Sequence, residues 1–143
     1  MEPVAFTAGC AVPVLKVSDV QRSIAWYESL FGFKADPFPS SPPYSFAILC
    51  RDGAQIMLQG LDASRDDDRL GRDVHDEWDV YIRIHGGNLL ALAAAAGKRT
   101  ELLRGPERAF YGQVEFEVAD PDGHRICLGE PLPAEANVPT RED

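Results

Sequence analysis

No stretch of this 143-residue chain approaches the roughly 18 consecutive apolar residues of a membrane-spanning helix, so an integral helical membrane protein is excluded. Its first ten residues, MEPVAFTAGC, place no basic region ahead of an apolar stretch; a secretory leader is not expected, and the cytoplasm is the expected location. Cysteine is scarce. Cys10, Cys50 and Cys127 are odd in number and scattered, with no CxxC pair, which excludes a disulfide framework or a zinc knuckle and leaves buried, reduced thiols as the expectation. Histidine is equally scarce, at His75, His85 and His124. Basic residues are outnumbered, 14 against 23 acidic ones, for a net charge of −9. Such a chain repels phosphate backbones and shows no basic patch, so nucleic acid is not an expected partner. The excess of acid suits a cationic ligand.

What is present is the composition of a soluble globular domain, 45% hydrophobic and 26% charged. The chain reads as one pattern written twice. In the first module AVPVLKV (11–17) is a short β-branched run, read as a strand. Ser18 with Gln21 three residues on has the form of a capping box, and Val20, Ile24, Tyr27 and Leu30 recur at helical spacing up to a left-handed stop at Gly32. A short strand near Phe33 and the Pro-rich FPSSPP follow. YSFAILC and AQIMLQ then form a hairpin about Asp52-Gly53.

The second module repeats the order. DVYIRI (79–84) is a strand, NLLALAAAAG (88–97) is a helix from an Asn cap to a Gly stop, and a short strand falls around 100–103. VEFEVA and HRICLGE then close as a hairpin over Asp120-Pro121-Asp122-Gly123, where both aspartates read as turn formers. Val12 to Asp79 is 67 positions and Gly53 to Gly123 is 70. The expected fold class is α+β, two βαβββ modules in one domain over 9–130: module one about 9–60, a solvated Asp/Arg-rich linker about 61–77, and module two about 78–130. Residues 131–143 read as a flexible tail with nothing to bury.

VPVLKVSDVQRSIAWYESLFGF resembles the opening of the vicinal-oxygen-chelate superfamily, which unites glyoxalases, bleomycin-resistance proteins and dioxygenases. GQVEFEVADPDGHRICLGEP resembles its closing hairpin, in the form common among bleomycin-resistance-like members. With RDGAQIMLQ the resemblance covers about residues 11–130. It implies a curled mixed sheet forming a cup with helices outside, assembled as a homodimer. It also implies four metal-ligand positions, which carry over to Val12, Met57, Asp79 and Cys127. Two of these side chains cannot bind a divalent ion, and no histidine sits at cup-facing parity, so neither metal nor other cofactor is expected.

Strand alternation assigns Val12, Val14, Lys16, Gln55, Met57, Gln59, Asp79, Tyr81, Arg83, Glu115, Glu117, Arg125 and Cys127 to the cup face. The opposite parity (Leu15, Val17, Ile56, Leu58, Val80, Ile82, Ile84, Phe116, Val118, Ile126, Leu128) packs under the helices. The candidate ligand-binding set is Gln55, Met57, Gln59, Asp79, Tyr81, Arg83, Glu115 and Cys127, with Phe110 and Tyr111 edging the pocket from the loop before Gly112. Asp79, Arg83 and Glu115 either orient a ligand or form an internal salt-bridge set in place of the metal. Trp26 reads as packed against a subunit or the other module, and Trp78 as a module-junction or rim residue. Cys127 has no histidine near it in sequence, so a nucleophilic role is not expected.

The expected activity is metal-free capture of a small cationic or aromatic molecule, such as a bleomycin-type antibiotic, without catalysis. A metal-dependent lyase, isomerase or ring-cleaving dioxygenase, and a non-catalytic interaction module with a plugged cup, are the alternatives.

Overall fold

The computed structural model describes residues 3–62 and 77–141. Most of the expected linker, His75 included, lies outside the described residues. The first module runs β1 (Val14–Val17), α1 (Val20–Phe31), β2 (Lys34–Phe38), β3 (Phe46–Arg51) and β4 (Ala54–Gly60). The second runs β5 (Val80–Arg83), α2 (Leu89–Gly97), β6 (Arg104–Arg108), β7 (Gln113–Ala119) and β8 (Arg125–Pro131). Each module forms a four-stranded mixed sheet, in the orders β1-β4-β3-β2 and β5-β8-β7-β6, with the first-named pair parallel and the rest antiparallel. Val14 stands opposite Met57 in one sheet, and Tyr81 opposite Cys127 in the other. The repeat seen in the sequence is therefore a repeat of register, and the α+β reading of two βαβββ modules holds.

One face of each sheet lies under a helix. Val20, Ile24, Tyr27 and Phe31 of α1 bury against Leu15, Val17, Leu49, Ile56 and Leu58. Leu89, Ala93 and Ala96 of α2 bury against Val80, Val114, Phe116, Val118, Ile126 and Leu128. Each large aliphatic side chain so buried stabilises the fold by about 1.5–3 kcal/mol relative to exposure. The small alanines let α2 sit close to its sheet. The apolar parity assigned from sequence is thus the core.

Both helix starts differ from the sequence reading. The N-cap of α1 is Asp19, whose carboxylate accepts the Arg22 N–H at 3.0 Å. Ser18 turns away instead, and its hydroxyl donates to Asp122 Oδ1 at 2.7 Å. Asn88 makes no side-chain cap on α2; the buried Glu130 carboxylate accepts the Gly87 and Leu89 N–H groups at 2.7 and 3.1 Å. An ionised acceptor beside the positive end of a helix binds those amides more strongly than an amide oxygen does. Gly97 ends α2 without a left-handed turn, Lys98 being right-handed, whereas Gly32 does take the left-handed conformation at φ 68°.

Several strand limits move as well. β1 starts at Val14 rather than Ala11, so Val12 precedes the strand. β2 falls near Phe33 as read, at Lys34–Phe38, whereas β6 begins at Arg104, beyond the 100–103 read for it. The segment read as a flexible tail has partners. Leu132 and Val138 pack on the core, Pro139 O accepts the Arg108 N–H at 2.8 Å, and the Arg141 N–H donates to Arg108 O at 2.8 Å.

The modules interlock through the β7–β8 turn. The buried Tyr27 hydroxyl donates to Asp120 Oδ2 at 2.9 Å, and Asp120 Oδ1 accepts the N–H groups of Asp122 and His124. His124 Nε2 is 2.7 Å from Lys16 O, and Arg22 reaches Asp122 at 3.4 Å. The aspartates of the turn thus do form it, and they also clasp the first module. Among the described residues, no helix is long and apolar enough to cross a membrane.

Candidate functional site

Turning one face of each sheet to a helix leaves the other face free of helices, and the two free faces are chemically unlike. On the first sheet the pairing lines up Val14, Met57, Ile48 and Asp36 in one row, and Lys16, Gln59, Phe46 and Phe38 in the next. Val14 is 57% exposed and Phe38 45%, with Met57, Ile48 and Phe46 half-buried between them. Gln55 and Gln59 flank Met57 on β4, both half-buried, and the Gln59 amide donates to Gly60 O at 3.3 Å. This face is mostly apolar and open.

The free face of the second sheet is ionic and roofed. Glu115 and Glu117 are 0% exposed. Arg104, from the edge strand β6, spans both, donating to Glu117 Oε2 at 2.7 Å and Glu115 Oε1 at 3.3 Å. The same guanidinium reaches Glu107 at 3.1 Å and Cys127 Sγ at 3.7 Å, and it lies 5.5 Å from the centre of the Trp78 ring. Arg125 donates to Glu117 Oε1, and Arg141 stands 3.8 Å from Glu115 Oε1. The Tyr111 hydroxyl donates to Glu115 Oε2. Three carboxylates thus face three guanidiniums, which offsets the cost of dehydrating them.

The surroundings set the protonation states here. Burial, followed by the neighbouring Glu115, raises the phenol pKa values of both Tyr81 and Tyr111, so both stay neutral. Burial and then Glu115 push the Cys127 thiol up to about 12, which leaves it a thiol and a poor nucleophile. Tyr81 Oη is buried and has no hydrogen-bond partner among the described residues, although Glu115 is near enough to act on its titration. Gly129 makes room for that ring, since a Cβ there would strike the Tyr81 hydroxyl.

The candidates from sequence are therefore divided. Tyr81, Tyr111, Glu115 and Cys127 come together under the second sheet's ionic roof. Gln55, Met57 and Gln59 lie on the other sheet. Asp79 precedes β5, where its Oδ2 accepts the Arg125 N–H at 2.8 Å. Arg83 is exposed, and Phe110, 78% exposed, makes a T-shaped contact with Tyr111 at 4.9 Å. A salt-bridge set does exist, with Glu115 in it and Arg104 at its centre. Arg104 and Arg141 were missed from sequence; two glutamates at inward parity on β7 were the available signal, because they demand cations from their neighbours. Trp78 sits at this roof, stacked near Tyr81 as well as Arg104, whereas Trp26 packs within its own module on Tyr27 and Phe31.

No protein-family model and no curated protein matches the chain. Solved structures do. TioX from Micromonospora sp. ML1 superposes with a TM-score of 0.68 at 16% identity, over 87% of this chain and 100% of that one. A glyoxalase/bleomycin resistance protein/dioxygenase family enzyme from Burkholderia phytofirmans PsJN gives 0.66 at 16% identity, over 87% and 100%. An integron cassette protein from the mobile metagenome of V. cholerae gives 0.65 at 19% identity, over 90% and 99%. The chain has the vicinal-oxygen-chelate fold.

Metal-using members of that fold hold one divalent ion, and the four positions that the sequence resemblance carries over to this chain do not fit one. Val12 and Met57 offer no hard donor. Asp79 is engaged by the Arg125 amide, and Cys127 is a protonated thiol beside a guanidinium. Among the described residues, no group of three or more His, Cys, Asp or Glu side chains could hold a metal ion.

Proposed function

We propose that the chain binds a small aromatic or apolar molecule on the helix-free face of its first sheet, without a metal ion and without catalysis, and does so as a homodimer. The observation that carries this reading is the row Val14, Met57, Ile48 with Phe46 and Phe38 beside it. These side chains project from the helix-free face, Val14 and Phe38 exposed and Met57, Ile48 and Phe46 half-buried between them. A partly exposed apolar row on a sheet face supports a binding surface over ordinary solvent-facing sheet. Lys16, Gln55 and Gln59 border it and supply polar orientation. The net charge suits a cation, but Glu115 and Glu117 already have arginine partners, which favours stacking over ion pairing as the means of recognition.

The test is a thermal-shift and titration series with planar aromatic compounds, bleomycin-type glycopeptides among them. A ligand at 100 times its Kd stabilises the folded state by about 2.7 kcal/mol. Met57→Asp places a charge on this half-exposed face and is expected to abolish the shift while leaving the unliganded melting temperature nearly unchanged. The reading fails if no compound stabilises the protein, or if Met57→Asp binds as tightly as the parent. A second reading, an interaction module with a plugged cup, draws on the ionic roof of the second sheet; it gains if nothing small binds either sheet.

A further inference from the structure

The segment after β8 passes over the open edge of β6, close to Glu115. We propose that residues 134–141 form a detachable strap over the second module, latched by Arg141 on Glu115, whose release opens the Glu115–Tyr111–Cys127 side of the fold to solvent.

The attachment is thin compared with what lies beneath it. β7 and β8 are joined by seven consecutive registered pairs. The strap is joined to β6 by a single parallel bridge, Arg108 to Thr140, made by the two backbone hydrogen bonds that flank Arg108. Its base is firmer. The Arg108 guanidinium donates to Leu132 O at 2.9 Å, Pro133 O at 2.7 Å and Gly112 O at 3.3 Å. Arg108 therefore ties the start of the strap to the loop carrying Phe110 and Tyr111, and the part free to swing begins after Pro133. Residues 133–135 and 137 are exposed, and Val138 is the apolar anchor farther along.

The latch is also built to let go. Among the described residues, the Arg141 pair with Glu115, at 3.8 Å, is longer than those that Arg104 and Arg125 make with Glu115 and Glu117. When it leaves, Glu115 still has Arg104 at 3.3 Å and the Tyr111 hydroxyl, so no buried charge is orphaned. Losing one of several partners costs far less than leaving a buried carboxylate alone. Exposed backbone hydrogen bonds at a sheet edge open locally far more often than those inside a sheet.

Hydrogen exchange on the full chain, with no ligand added, tests the opening. The Arg108 and Arg141 amides are expected to exchange roughly 100-fold faster than those of Phe116 and Leu128, and Arg141→Gln to speed them about tenfold more without changing β7 or β8. In parallel, methyl methanethiosulfonate labelling of Cys127, read by peptide mass spectrometry, is expected to accelerate in Arg141→Gln while Cys10 and Cys50 label at unchanged rates. Exchange at Arg108 as slow as at Phe116 would show a permanent edge cover and overturn the proposal. So would Cys127 labelling that ignores Arg141→Gln. Compound binding on the first sheet is a separate measurement, and its failure would overturn the small-molecule reading while leaving the strap standing.

Discussion

Glu115 and Glu117 are both shut away from water, and an ionised carboxylate in that position is costly unless a cation stands beside it. Arg104 serves the two together. Its planar fork sends Nε to Glu117 and one terminal nitrogen to Glu115, a division that a lysine ammonium cannot copy. Arg104→Met is therefore expected to lower stability by about 1–3 kcal/mol in urea unfolding, because it removes the cation shared by both carboxylates and leaves Glu117 to Arg125 and Glu115 to Arg141 and Tyr111. Arg104→Lys should recover only part of the loss. Replacing the carboxylates along with their partner, as Arg104→Met with Glu115→Gln and Glu117→Gln, should recover more than lysine does, since the dehydrated charges are gone. A loss below about 1 kcal/mol for Arg104→Met would mean that the carboxylates are hydrated or protonated, and the ionic roof would not exist as described. Sequence alone gave the inward parity of both glutamates but not this arginine. β6 carries a register shift between Arg104 and Glu107, with Gly105 at φ 81° tucked against the backbone of Glu115 and Phe116, so no alternation marks the strand in the sequence.

Elements with a strong period were legible, and those defined by tertiary contacts were not. The α1 stripe and the two hairpins announce themselves, because a buried face or a tight turn must repeat in the chain. The cap of α2 does not, since Glu130 arrives from a strand 41 residues beyond Leu89. The β7–β8 turn was legible as a turn and opaque as a clasp. Its Asp120 carboxyl has its pKa raised by burial, which outweighs the opposing pull of His124, of the Tyr27 hydroxyl and of the Asp122 amide. Asp120 faces His124 and the Tyr27 hydroxyl, and Tyr27 in turn feels the charges of Asp122 and Asp79. A carboxyl whose folded pKa lies above its unfolded one holds its proton more readily when folded. Its contribution to stability is complete below the ordinary carboxylate value and is lost as pH rises through the raised value. The stability advantage of the parent over Asp120→Asn should therefore shrink as pH climbs from about 4. Chemical denaturation of both proteins across that range checks the slope; an advantage that grows with pH would mean that the donors, not burial, govern Asp120.

At the scale of the whole molecule, each module buries its own apolar face, so the two could in principle unfold one after the other. The clasp argues otherwise. Tyr27 to Asp120, His124 to Lys16 O, Ser18 and Arg22 to Asp122, and Arg99 to Ser29 O all cross between modules. The first of these is buried, so separating the modules strips a carboxyl of a donor, at a cost of about 1–3 kcal/mol. A penalty charged to any state with one module folded raises that state above both ends of the transition, and unfolding becomes all-or-none. The protein carries its own reporters, since Trp26 lies in the first module and Trp78 in the second. Trp78→Phe leaves only the first reporter and Trp26→Phe only the second. In each variant, tryptophan fluorescence and far-ultraviolet circular dichroism are expected to give the same urea midpoint. Adding Tyr27→Phe should pull the two signals apart by weakening the clasp alone. If the signals separate already with Tyr27 intact, the modules fold independently and the polar contacts between them merely decorate a surface that does not couple them.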